Sequence, residues 1–283
     1  MKRLQLVGVC GNDFFEFSRS HATSRDLLVQ LFRTSCLQWS EKKGGHINPF
    51  DFSILQFLDQ FARRSAHLDR SIGFLSSDLI FQGGVALAFY WWAWFRNRDT
   101  QSRDREYVLS GIAASMVALL VARALALALP YRERPRFAMP DFKMPIGSEG
   151  GNFLGWSSFP SDHAVFYFSL ATCIFFISRR AGLLAYFHAL FFVCLPRIYT
   201  GVHYPTDVLV GAILGIGIAY LSLIRIFRES AANLPLRWLR ESPSSFYPCF
   251  FLASILLASE FDPVRVPAVA AWQLIKAHAH RAP

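Results

Sequence analysis

Apolar residues in this chain gather into long runs separated by short polar breaks, and the lengths of those runs predict what they form. A helix of about 20 mainly apolar residues crosses a bilayer. Four runs come close, at 72–95, 107–130, 161–178 and 206–227, and a fifth at 181–196 is slightly shorter. The breaks from Ser178 to Ala181 and around 197–205 are so short that the last three helices must be antiparallel neighbours. Residues 246–259 form either a sixth span or a re-entrant hairpin. Ahead of the first span, Phe50, Ile54, Phe57, Leu58 and Phe61 recur at helical spacing, while Asp51, Gln56, Asp59 and Gln60 fill the other side. That is the pattern of an amphipathic helix lying in the membrane interface. The expected fold is all-α: a polytopic transmembrane helical bundle of five or six spans plus an interfacial amphipathic helix. It divides into a polar N-terminal tail (1–46), the interfacial helix (47–66), a bundle core (67–228) and a C-terminal region (229–283).

Composition agrees with a membrane class, at 53% hydrophobic residues with 28 Phe and 7 Trp. The net charge of +9 fits a nucleic-acid binder, basic cytoplasmic loops or an anionic substrate, so the positions of the charges decide. Arg96, Arg98, Arg103 and Arg105, then Arg179 and Arg180, then Arg228, Arg237 and Arg240 fall in breaks on one side of the membrane. Basic loop residues are retained in the cytoplasm, which puts 131–160 and 197–205 outside. Arg63, Arg64 and Arg70 run against this assignment if 50–65 lies on the surface. No basic stripe interleaves with exposed aromatics, so nucleic acid is not an expected partner. Five cysteines without paired short spacing indicate neither a disulfide framework nor a zinc site. Trp91, Trp92 and Trp94, at the inner end of a span, are expected to form an aromatic belt.

Three short clusters fall where a span meets the predicted outer surface. They are Arg132-Glu133-Arg134-Pro135-Arg136, then Pro160-Ser161-Asp162-His163, then Arg197 with His203 after five intervening residues and Asp207 after three more. Together they supply what phosphoryl transfer needs, because most of that work is placing cations and donors around the equatorial oxygens. Arginine donates two parallel hydrogen bonds to a phosphate. Ser161 opens a helix, whose free N–H groups also hold an anion. One histidine can attack phosphorus while the other protonates the leaving oxygen, and a carboxylate beside the attacking ring fixes its tautomer. Asp207 is the candidate for that carboxylate. A single histidine would more simply be an interfacial hydrogen-bonding residue; His188 is read as packing, and His278 and His280 as tail.

These clusters resemble the three signature motifs of the type 2 phosphatidic acid phosphatase superfamily: Lys, six residues, Arg-Pro; Pro-Ser-Gly-His; and Ser-Arg, five residues, His, three residues, Asp. The resemblance covers roughly 107–227. It implies that Arg134 and Arg197 bind phosphate, that Ser161 supports it, that His163 is the general acid, and that His203 forms a phosphohistidine with Asp207 behind it. It further implies a helical bundle that needs no metal ion or other cofactor. The substrate implied is a lipid phosphate or diphosphate in a bed of membrane lipids.

Three positions depart from the family pattern. Leu127 stands where the lysine should be, Asp162 replaces the glycine, and Pro196 replaces the serine before Arg197. Pro-Ser-Asp-His is similar to the form in the bacterial undecaprenyl diphosphate phosphatase branch, which points to a polyprenyl diphosphate and joins Asp162 to the phosphate-binding set. The missing charge is expected from Arg132 or from Arg123, one helical turn from Leu127; a charge inside a span is expensive and a candidate for function. In a bacterium the protein would sit in the cytoplasmic membrane with its active site facing outward. A lipid phosphotransferase is the alternative. A vanadate-dependent haloperoxidase, similar in its pocket, is disfavoured because such enzymes are soluble and use a lysine where Leu127 stands. A non-enzymatic lipid transporter is disfavoured by the intact His203 and Asp207.

Overall fold

The computed structural model describes residues 47–148 and 156–259. The expected tail at 1–46, residues 149–155 and the end of the C-terminal region from 260 lie outside them. Every regular element among the described residues is helical. In chain order they are α1 (Pro49–Asp59), α2 (Ala66–Ser77), α3 (Ile80–Phe95), α4 (Gln101–Ala128), α5 (Pro135–Ala138), α6 (Asp162–Ile177), α7 (Arg179–Tyr199), α8 (Pro205–Ser222), α9 (Arg225–Glu241) and α10 (Pro243–Ala258).

Three of these helices, α4, α7 and α8, are long and apolar enough to cross a membrane, and the chain is a membrane protein on that ground. The first expected span is broken. α2 and α3 meet at a bend of 63°, where Asp78 leaves the helix and its carboxylate accepts from the N–H groups of Ile80 and Phe81, each at 2.9 Å. α6 and α10 are apolar but only 16 residues long.

α6 is the centre of the bundle and packs against α4, α7 and α8. Its contact with α8 depends on two glycines one turn apart. A Cβ on Gly211 would lie 2.7 Å from the carbonyl oxygen of Ser161, and one on Gly215 would lie 2.2 Å from that of Val165. Small residues at this spacing let two backbones approach closely. The effect is to set the N-terminus of α8 beside the N-terminus of α6, where two of the sequence clusters sit.

The C-terminal region holds a helix that the hydrophobic pattern did not reveal. α9 runs across the face of the bundle opposite those clusters, from Arg228, paired with Glu106 at 3.1 Å, to Trp238, edge-on to Phe246. Ala232 and Leu239 are buried in the core, while Ile226, Phe227 and Leu234 are exposed. α10 then runs antiparallel to α3, from Phe246 stacked on Trp94 to Ala258 against Gly83. Trp94 is consequently fully buried, and of the expected aromatic belt it is Trp92 that is exposed.

On α1, Phe50, Phe52 and Phe57 are exposed, as are Gln56 and Gln60 of the polar side, while Asp51 is fully buried beside Leu55. Arg63 donates to the carbonyl of Met144 at 2.9 Å, so this segment lies on the same face as the clusters, and the conflict with the basic-loop rule stands.

Candidate functional site

The three sequence clusters meet at one end of the bundle. Arg132 is joined to the second cluster through its carbonyl, which accepts from Ser158 N–H at 2.9 Å. Arg134 donates from Nη1 to the carbonyl of Val202 at 2.8 Å, next to His203. The N–H of Ser161 donates to the carbonyl of Asp207 at 3.2 Å. Each contact links segments far apart in sequence and ends on a backbone carbonyl.

His203 is buried in the short loop between α7 and α8. Its Nδ1 lies 2.8 Å from the carbonyl oxygen of Ser158. A carbonyl can only accept, so Nδ1 carries the hydrogen and Nε2 keeps its lone pair in the neutral ring. The expected orienting carboxylate is close but holds the ring less directly: Asp207 Oδ2 lies 3.9 Å from Nδ1 and accepts from Tyr204 N–H at 2.8 Å. Burial pulls the imidazole below its ordinary range; Asp207 opposes this, and Arg134 and Arg197 add to it.

Gly201 shapes the loop. Its φ of 67° is in the left-handed region, and a Cβ there would also meet the ring of Phe142 at 2.6 Å. Its carbonyl accepts from Arg136 N–H at 3.0 Å. Arg136 itself is buried and donates to the carbonyl of Ser148 at 2.7 Å, which makes it part of the loop framework.

Arg134 and Arg197 are the two arginines whose charge acts on His203. Burial brings Arg134 down to about 10, with Asp162 opposing and Arg197 reinforcing the shift, so it stays cationic at neutral pH. Arg197 is held by Gln82, whose Oε1 accepts from Nη2 at 3.1 Å and whose own amide nitrogen donates to the carbonyl of Leu75 at 2.8 Å. Gln82 sits in a π-helical turn of α3, Ile80–Gly84. That widened turn faces a second one in α7, across which His188 Nε2 donates to the carbonyl of Phe81 at 2.6 Å. His188 is thus a packing residue, as expected.

Ser161 caps α6: its Oγ accepts from Ala164 N–H at 3.4 Å, and its hydroxyl hydrogen is left to donate. Asp162 and His163 follow in the first turn, where His163 stacks over Tyr167 with ring centroids 6.3 Å apart. Asp162 forms an ion pair with Arg123, which reaches across from α4 and also lies over the ring of Trp156. Leu127, by contrast, is 89% exposed.

Of the two arginines considered as substitutes for the family lysine, Arg132 is already committed. Its guanidinium pairs with Asp207 through Nη1, with Asp51 through Nη2 at 2.6 Å, and lies 4.0 Å over the ring of Tyr204. Arg123 is tied instead to Asp162, in the first turn of α6 next to His163 in sequence. Sequence reasoning missed Asp51, Ser158 and Gln82. Asp51 lay on the polar side of an amphipathic pattern, Ser158 acts through its backbone, and Gln82 needs a π turn to reach inward.

The PAP2 superfamily profile matches residues 60–230, which contain all three clusters. The chain is 29% identical over 166 residues to the Bacitracin transport permease protein BcrC of Bacillus licheniformis, a match that covers 59% of this chain and 75% of that relative. No solved structure matches it significantly. With the motif residues assembled on one face of an apolar helical bundle and a family match over most of that bundle, the chain belongs to the PAP2 superfamily of phosphatases.

Proposed function

We propose that this protein is a membrane phosphatase that hydrolyses a lipid phosphate, with a polyprenyl diphosphate as the favoured substrate, through a phosphohistidine on His203. The observation that carries the reading is the bond from His203 Nδ1 to the Ser158 carbonyl, which leaves Nε2 unprotonated on a ring that feels the charges of Arg134 and Arg197. Nε2 attacks the terminal phosphorus, the bond from phosphorus to the bridging oxygen breaks, and His163 gives its proton to that oxygen. Water then attacks the phosphohistidine, loses a proton to His163 and releases inorganic phosphate, which restores both rings.

Arg134, Arg197 and the Ser161 hydroxyl hold the transferred phosphoryl group, and they stabilise the charge it develops. Arg123, with Asp162 fixing its direction, holds the next phosphate toward the lipid. The reaction calls for no metal ion, because the arginines supply the positive charge. Six helices, α3, α4, α6, α7, α8 and α10, cross the membrane, with α1 and α9 in its two interfaces. The lipid chain stays in hydrocarbon while the headgroup enters laterally. The site faces outward, since the arginines of the opposite face outnumber those beside it; in a bacterium the membrane is the cytoplasmic one.

The test is a phosphate-release panel on purified protein with a chelator present. It compares a polyprenyl diphosphate, phosphatidate, phosphatidylglycerol phosphate and a soluble monoester. Fastest release from the diphosphate supports the reading. Lipid movement between leaflets without phosphate release would favour the transport role that the relative's name carries.

A further inference from the structure

We propose that Asp51, on the helix preceding the bundle, is a positioning residue for the reaction: through Arg132 it sets how much of the Asp207 charge reaches His203. The inference rests on His203 being the nucleophile.

Asp51 is fully buried, and both of its oxygens are engaged. Oδ1 accepts from Thr206 N–H at 2.8 Å, in the first turn of α8. Oδ2 accepts from the Thr206 hydroxyl at 2.6 Å and from Arg132 Nη2 at 2.6 Å. The other terminal nitrogen of Arg132 bonds Asp207 Oδ1 and the Thr206 hydroxyl. One guanidinium therefore bridges two buried carboxylates, and the second of these lies 3.9 Å from the His203 ring. Divided between two partners, Arg132 neutralises Asp207 only in part, and the remainder acts on the imidazole. A purely structural staple would need Thr206 alone; the charge-sharing arrangement reaches the reacting ring.

The other charges around His203 come from every neighbouring element. Arg134 lies ahead of α5, Arg197 on α7, Asp162 and His163 on α6, and Arg123 on α4. The bonds of Asp51 run to Thr206 and Arg132, so a change at Asp51 reaches His203 by way of Arg132 and Asp207.

Asp51→Asn keeps the shape and the acceptor for Thr206 N–H but removes the charge. Arg132 then pairs wholly with Asp207, and the imidazole becomes a weaker base. The expected result is a fall in kcat of about tenfold, the scale on which groups orienting a reacting ligand act, with KM little changed. The acid limb of the kcat/KM profile moves to lower pH. Arg132→Gln removes the bridge and leaves Asp207 uncompensated, so its acid limb moves the opposite way, to higher pH. Activities are normalised to the amount of folded protein, read from thermal unfolding in detergent, which discounts misfolded protein. Unchanged limbs in the folded variants, or limbs that move together in one direction, overturn the proposal. If Asp51→Asn does not fold, the direction of the Arg132→Gln limb decides alone. Activity surviving in His203→Ala would instead defeat the underlying reading, an outcome separate from either limb.

Discussion

The Nδ1–H of His203 is donated to the backbone carbonyl of Ser158, 2.8 Å away, across 45 residues of sequence. This contact fixes the ring by an atom that no substitution of Ser158 removes. It also assigns Nε2 as the nitrogen with the free lone pair.

The pH dependence follows with a definite sign. Burial holds the His203 imidazole below its ordinary value of 6.5, so the ring stays neutral at pH 6.5 and gains a proton only at lower pH. The acid limb of kcat/KM, which reports the free enzyme, is expected below pH 6.5. Between 6.5 and the folded value the unfolded chain binds a proton that the folded one does not, so stability also falls as pH drops through that window. A limb above 6.5 would assign nucleophilic attack to a different group.

His163→Ala removes the proton donor but leaves the arginines in place. Phosphate release from a lipid diphosphate is expected to fall by roughly 10²–10⁴-fold, the usual range for a positioned acid. The loss should shrink for a synthetic substrate whose leaving group needs no protonation. A loss of equal size with both substrates would show that His163 has another role.

Arg123 tests the substrate class. Its ion pair with Asp162 ties a cation to the first turn of α6, and charge-assisted hydrogen bonds are worth about 1.5–3 kcal/mol. Arg123→Ala should therefore lower kcat/KM for a polyprenyl diphosphate at least about tenfold, and lower it less for the monophosphate of the same chain. Equal losses on both would place Arg123 with the structural ion pairs.

The helix packing that brings the clusters together makes its own prediction. Gly211→Val would drive a side chain into the Ser161 carbonyl, and overpacking of this kind costs about 1–3 kcal/mol. Thermal unfolding in detergent should show a lowered midpoint, together with reduced activity. Gly217→Ala is the control: no atom lies within 4 Å of the added Cβ, and the helix should be unharmed.

Much of this was legible in the sequence because it depends on spacing. Arg134-Pro135, Ser161-Asp162-His163 and Arg197 with His203 and Asp207 sit where apolar runs end, and the ends of helices in one bundle share a face. The rest depends on relations that spacing does not encode. Asp51 reads as the wet side of an interfacial helix until α8 is seen to present the Thr206 N–H to it. α9 is amphipathic, carries Pro235 inside it and has too few apolar residues to read as a span. Trp94 reads as a belt residue because nothing in its own segment announces that Phe246 covers it.

The central claim is that phosphorus is transferred to His203. Rapid acid-free quenching of the purified protein with a diphosphate substrate labelled on its terminal phosphate, followed by peptide mapping, tests it directly. The account predicts an acid-labile, alkali-stable adduct on the peptide containing His203, absent from His203→Ala. Label on another residue, or turnover in His203→Ala, would contradict it.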